Sequence, residues 1–258
     1  MIAMHRSTLR DQSTLHVKDA PLKKRIEEIA CGRVRYGYKR ITTLLRRENW
    51  LVNHKRVYRI YKQAGLNLRS KRPRRSRAAV HREVVPEPAG PNEVWTMDFL
   101  TDALFDGRRF RILSVLDVFH RECLALHPAQ NVTGADVADV LERLATLHGL
   151  PKRIQVDNGS EFISKAVDKW AHDNGVELVF DRPGKPTDNP FIESFNGSFR
   201  DECLNVNWFL NLDDAVRKIE TWRIDDNIDR PHSSLGDVPP RTFLAEFEQA
   251  SSRPNPYP

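Results

Sequence analysis

Val94-Trp-Thr-Met-Asp-Phe-Leu100 sets an acid in the middle of an apolar, strand-like run. An ionised carboxylate in such a place is costly unless it is paired or bound to a metal. Around it, Glu93–Phe105 alternates as a strand does, Asp106-Gly107 marks a tight hairpin turn, and Arg109–Phe119 returns as a continuous apolar strand. Glu122–His127 fits a third strand. Thr133 then caps a helix reaching about His148, with Val137, Val140, Leu141 and Leu144 inward. Arg153–Val156 reads as a short buried strand ending at Asp157, Ser164–Asn174 as a helix and Val176–Phe180 as a strand. After the loop Arg182–Pro190, a further helix runs from Phe191 to about Glu202. A hairpin followed by alternating helices and strands predicts a mixed α/β domain.

Upstream the texture changes. Val84–Pro91, with Pro86, Pro88 and Pro91, reads as an extended linker. Before it lie three helical patterns: Pro21 to about Cys31 with Leu22, Ile26 and Ile29 on one face, Tyr38–Glu48 with Ile41, Leu44 and Leu45, and a third helix capped by Asn53 with Val57, Ile60, Tyr61 and Ala64 inward. The last two resemble a helix-turn-helix, the second helix presenting His54, Lys55, Arg56, Arg59 and Lys62 outward. A helical hairpin with a merely solvated basic face would look the same. The dense basic run Arg69–Arg77, including Arg72, Arg74 and Arg75, favours phosphate binding. The expected organisation is a flexible leader (1–20), a helix-turn-helix-like domain (21–68), a basic and proline-rich linker (69–91), a mixed α/β core (92–205) and a helical C-terminal extension (206–258).

Charge sorts the same way. Residues 1–82 hold 23 Lys/Arg and 5 Asp/Glu, a net of +18, while residues 83–258 carry a net of −12. A basic arm on an acidic remainder points to a polyanionic partner, nucleic acid before anionic membrane, because the basic region lacks an apolar amphipathic anchor. The 258 residues contain no apolar run of the roughly 18–20 residues a membrane helix needs. The first twenty residues carry no secretory signal. Cys31, Cys123 and Cys203 make neither a disulfide framework nor a CxxC zinc motif and are expected to be packing residues in a reducing cytoplasm. Trp208 and Trp222 are expected in the core, and no chemistry attaches to His120.

Two further acids stand out beside Asp98: Asp157 at the end of Ile154-Gln-Val156, and Glu193 in the first turn of its helix. Each has an ordinary structural explanation. Asp98 can face solvent on an edge strand, Asp157 can form an Asx-turn with Asn158-Gly159, and Glu193 can favour the helix dipole. Together, carboxylates from two strands and a helix are the donor set of a two-Mg²⁺ site that clamps both oxygens of a phosphodiester.

Thirty-five residues separate Asp157 from Glu193. That spacing, with Trp95-Thr-Met-Asp98, Val156-Asp-Asn-Gly-Ser-Glu-Phe162, Pro186-Thr-Asp-Asn-Pro190, Glu193-Ser-Phe-Asn-Gly197 and Arg230-Pro-His-Ser-Ser-Leu235, resembles the DDE transposases of the IS-three insertion-sequence family. Tyr36-Gly-Tyr-Lys-Arg-Ile41 and Val52-Asn-His-Lys-Arg-Val-Tyr58 resemble the helix-turn-helix segment preceding that family's core. At Asp226-Asn227 the chain departs from the family's frequent Tyr-Asn.

The resemblance implies a ribonuclease H-like core in which Asp98, Asp157 and Glu193 hold two Mg²⁺ ions, with Mn²⁺ expected to substitute. It implies cleavage and strand transfer of DNA, a homo-oligomer on DNA, and an upstream reading-frame product or fusion as a further partner in a bacterial, nucleoid-associated setting. It also points to Arg200 as a phosphate contact, nearly two turns after Glu193. Lys185 is a further DNA candidate, and Asn158 and Gly159 are expected to let the chain turn beside the metals.

Three rivals remain. A retroviral-type integrase predicts a zinc module with two His and two Cys, whereas residues 1–60 contain only Cys31. A plain ribonuclease H-like nuclease does not need the basic helices. A DNA-binding regulator on a degenerate core predicts the loss of an acid, and all three are present.

Overall fold

The computed structural model describes residues 6–67, 88–182 and 189–252. It divides between residues 77 and 78 into two compact units.

In the first unit lie α1 (Arg6–Gly32), α2 (Tyr38–Arg47) and α3 (His54–Gln63). Leu22, Ile26 and Ile29 of α1, Ile41 and Leu45 of α2, and Val57, Ile60 and Tyr61 of α3 are spaced three or four apart and close on one another with Tyr36. The Asn53 side chain accepts the Lys55 N–H at 2.9 Å and so caps α3. Contrary to the sequence expectation of a leader through residue 20, α1 starts at Arg6 and runs through Pro21. Proline forgoes one backbone hydrogen bond there. Two residues earlier, Asp19 is buried and accepts hydrogen bonds from Arg56 and Arg59, tying its turn of α1 to α3.

A five-stranded sheet organises the second unit, in the order β3-β2-β1-β4-β5. β1 (Val94–Ala103), β2 (Arg109–Asp117) and β3 (Cys123–Ala129) form an antiparallel meander, and β4 (Arg153–Val156) and β5 (Glu177–Phe180) run parallel to β1. Gly107 turns the first hairpin at φ +85°, a conformation that favours glycine. α4 (Gly134–His148), opened by a Thr133–Asp136 capping box, and α5 (Lys165–Asn174) cover one face of the sheet. α6 (Pro190–Glu202) and α7 (Leu212–Ile228) cover the other. Strand alternation sends Trp95, Met97, Leu113 and Val115 to the first face, and Leu100, Ile112 and Leu116 to the second.

The segment after residue 205 is more than an appendage. Ala215 and Ile219 of α7 are buried against the sheet. Asn227 accepts the Cys123 N–H and donates to the Cys123 carbonyl, each at 2.9 Å, so it pairs with the edge strand β3 as a neighbouring strand would. The last helix, α8 (Pro240–Ser251), sets Phe243 and Phe247 against the Phe119 ring.

Two packing expectations fail. Trp222 packs on Phe195 and Phe199, but Trp208 is 76 % exposed in the loop between α6 and α7, where its neighbour Phe209 takes the buried place instead. Cys123 and Cys203 are buried, whereas Cys31 is exposed at the end of α1.

Candidate active site

β1 is the central strand, so Asp98 does not sit on a solvated edge. It points towards α6 and is partly buried. Asn196 Nδ2 donates to Asp98 Oδ2 at 2.6 Å, and the Phe99 N–H donates to Oδ1 at 2.7 Å. The Ser114 hydroxyl, one strand over, lies 3.0 Å from the Asp98 carbonyl oxygen and 3.1 Å from Asn196 Oδ1. Nearer the start of α6, the Thr96 hydroxyl donates to Asn189 Oδ1 at 2.8 Å. A polar seam therefore runs between sheet and helix, and every buried member of it finds a partner.

Asp157 follows the last residue of β4, whose parallel pairing with β1 brings it alongside Asp98. The Gly159 N–H donates to Asp157 Oδ1 at 3.0 Å, so the Asx-turn foreseen as an ordinary explanation does form. Gly159 keeps a negative φ; what its position needs is a small residue, since a Cβ there would stand 3.0 Å from Asp157 Oδ1. Asn158 donates to the Asp181 carbonyl at 2.8 Å, joining the ends of β4 and β5. Farther along the loop, Glu161 pairs with Arg111, whose guanidinium lies 4.1 Å over the Phe99 ring, and Phe99 stacks on the fully buried Phe162. These contacts hold the Asp157 loop on the sheet.

Glu193 is exposed in the first turn of α6. Burial pushes the Asp98 pKa up, the Phe99 N–H opposes that, and the negative charges of Asp157 and Glu193 push it up further. Asp98 thus feels the charge of both other acids. As they stand, no three His, Cys, Asp or Glu side chains among the described residues are close enough to hold one ion. The donor set nevertheless suits a hard divalent cation: it is all carboxylate oxygen, with Asp98 pre-oriented by Asn196 and loaded by the charges of two exposed acids, a repulsion that a cation would relieve.

The remaining sequence candidates divide. Arg200 is exposed on α6 and donates to the Thr101 carbonyl at 3.2 Å. Lys55 and Lys62 are exposed on α3. Arg56 and Arg59 do not point freely outward as expected: both pair with Asp19 at 2.6 Å. Arg72, Arg74, Arg75 and Lys185 lie outside the described residues. Sequence reading missed Asn196, Asn189 and Ser114. The only signal was polarity at helix and strand positions whose neighbours are apolar.

The fold and this carboxylate face define an integrase-type catalytic core carrying an N-terminal helical module. Residues 88–186 and 174–240 each match a family described as integrase core domain, and residues 16–75 match an HTH-like domain. The chain is 42 % identical over 254 residues to the insertion element IS407 31.7 kDa protein of Burkholderia multivorans, covering 98 % of this chain and 91 % of that protein. It is 42 % identical over 226 residues to the IS476 39.2 kDa protein of Xanthomonas euvesicatoria, covering 88 % and 65 % respectively. It is 30 % identical over 216 residues to the putative transposase InsK of IS150 from Escherichia coli, covering 77 % and 75 %. In structure, a chain of the simian T-cell lymphotropic virus intasome matches with a TM-score of 0.56 at 15 % identity, covering 90 % of this chain and 76 % of that one. The chain belongs to the insertion-element transposases built on an integrase core, which are polynucleotidyl transferases.

Proposed function

We propose that Asp98, Asp157 and Glu193 are the catalytic acids with which this transposase cuts and rejoins DNA at the ends of an insertion sequence. The observation that carries the assignment is Asp98: a carboxylate at the centre of the sheet, held by Asn196 and loaded by the charges of Asp157 and Glu193. The three would hold two Mg²⁺ ions, with Mn²⁺ substituting, and these supply Lewis acidity at the attacking and leaving oxygens of the phosphodiester. The chain's own part is positioning. Asn196 and the Phe99 N–H fix the Asp98 oxygens, and the Gly159 N–H fixes Asp157. Glu193 stays solvent-facing, where DNA can approach.

DNA is held by cations that read phosphate rather than sequence: Arg200 beside the acids, Lys55 and Lys62 on α3, and the basic run with Arg72, Arg74 and Arg75. Arg56 and Arg59 are available to it through their exposed edges only, since Asp19 occupies part of each fork. Residues 21–68 would be the DNA-binding domain and 92–205 the catalytic core, with 206–258 completing its second helical layer. Joining two ends calls for a homo-oligomer on DNA, and the upstream reading-frame product is a candidate partner. No helix of the described residues is long and apolar enough to cross a membrane, in keeping with action at the nucleoid in the cytoplasm.

A branched DNA resembling a strand-transfer product tests the reading without knowledge of the element's ends. With Mg²⁺ or Mn²⁺ the parent chain should rejoin strands and Glu193→Gln should not. Equal activity in both would overturn the assignment of Glu193.

A further inference from the structure

α6 lies alongside β1, and the contacts between them come in order. Asn189 meets Thr96, Asn196 meets Asp98 and Arg200 meets Thr101; beyond the helix, the Phe105 N–H donates to the Phe209 carbonyl at 2.7 Å. Position along α6 is therefore position along the strand, leading from the acids to the tip of the first hairpin. Glu193, Gly197 and Arg200, at i, i+4 and i+7, are all exposed and share one stripe of the helix.

Gly197 is unexplained by the fold. Its φ is not positive, and a Cβ built there would meet nothing within 4 Å. Glycine is among the poorest helix formers, so alanine would serve the helix better. Where the stripe ends, Phe105 and Trp208 are 68 % and 76 % exposed, with their rings edge-to-face at 6.0 Å. The tryptophan is anchored through its backbone. Lys218 Nζ donates to its carbonyl at 2.7 Å, the next residue, Phe209, is buried against Phe110, and the Leu210 N–H donates to Asp214.

We propose that this line is a track for one DNA strand leaving the acids. Gly197 leaves room for the sugar-phosphate backbone to pass close to the helix, Arg200 holds a phosphate, and Trp208 with Phe105 receives an unpaired base by stacking. From Asp98 to the end of β1 at Ala103 the strand advances about 17 Å, or about five nucleotides at duplex spacing. The proposal deepens the DNA reading of the site and rests on it. It does not depend on the carboxylates being catalytic.

The test uses the full chain and two fluorescein-labelled DNAs, one a branched duplex with a ten-nucleotide single-stranded arm and one fully paired, read by anisotropy without metal. Trp208→Ala should weaken binding of the armed DNA about tenfold and of the paired DNA less than twofold, and Trp208→Phe should restore most of the loss. Gly197→Leu should impair the armed DNA likewise while keeping or raising the melting temperature, a combination that a packing role for the glycine would not produce. Equal losses on both DNAs, or no loss on either, would overturn the track. So would a Trp208→Ala protein that merely falls from oligomer to monomer in light scattering with its preference for the arm intact, since the patch would then be a contact between copies. Failure of strand rejoining with the arm preference preserved would count against the catalytic assignment and not against the track.

Discussion

On the α4/α5 face of the sheet, Trp95, Met97, Leu113 and Val115 meet Val137, Leu141, Val167 and Trp170 in a continuous apolar layer. On the α6/α7 face, residues of the same two strands present Thr96, Asp98 and Ser114 to Asn189 and Asn196 before Leu100, Ile112 and Leu116 resume an apolar core. One period-two alternation thus feeds two surfaces of different purpose. The first face supplies burial. The second gives up some burial to hold a charged group in place, and that exchange is affordable because the first face is complete.

The sharpest way to break this division is Asp98→Asn. Activity on branched DNA should fall by roughly 10³-fold or more, the scale on which charge stabilisation by a metal site acts. The melting temperature should hold or rise, because the Asp98 pKa is raised: its ionised form is disfavoured in the fold, and removing that charge outweighs the one bond lost when a single amide oxygen accepts from Asn196 but no longer from the Phe99 N–H as well. A lower melting temperature would mean that the charged carboxylate stabilises the second face. The mirror experiment is Leu141→Ala, fully buried on the first face. It should cost about 2–5 kcal/mol in denaturant unfolding, with rejoining per folded molecule unchanged. A selective loss of activity would show that the two faces are coupled.

A subtler break is Asn196→Ala, which leaves all three acids in place but frees Asp98. Residues that orient metal ligands typically matter by about 10–100-fold in activity or metal affinity, and the loss should appear chiefly as a higher Mg²⁺ requirement. An unchanged Mg²⁺ titration would reduce Asn196 to a packing residue.

Asp98 stood out in the sequence because an aspartate amid Trp-Thr-Met and Phe-Leu has few inexpensive explanations, and two capped helices because Asn53 and Thr133 announce their own hydrogen bonds. Asn196 was not legible. A lone asparagine on a helix normally faces water, and only the packing of α6 on β1 reveals that it is buried. Arg56 and Arg59 read as outward cations because their partner Asp19 lies 37 and 40 residues away, in a stretch read as a leader ahead of the helix that Pro21 opens. Trp208 read as core because large aromatics usually are, yet it is its neighbour Phe209 that the loop turns inward. Local chemistry carries through to structure; pairings set by long-range packing do not announce themselves.

The smallest expected effect compares two charge clusters on the same sheet. Asp98 faces like charges, whereas His120, buried at the β2–β3 turn, sits between opposite ones: Nδ1 is 3.1 Å from Asp117 and Nε2 is 3.0 Å from Glu122, which Arg241 also reaches at 3.0 Å. Burial alone would lower the His120 pKa, but the two carboxylates raise it to about 9. A raised histidine pKa means that the folded chain holds a proton the unfolded chain releases near pH 6.5. The stabilisation is therefore complete below that pH and disappears as pH climbs to about 9, at no more than about 1.4 kcal/mol per pH unit. His148, whose pKa burial lowers, titrates below that window, and the buried thiols of Cys123 and Cys203, whose pKa values burial raises, add their own loss only as pH approaches about 8.5, so the slope below about pH 8 belongs to His120. In urea titrations from pH 6.5 to 9.5 the parent should lose stability steadily, and His120→Gln should start lower and run flatter. Parallel slopes would show that this cluster, like the acids across the sheet, is held by packing against the cost of its charges rather than by their pairing.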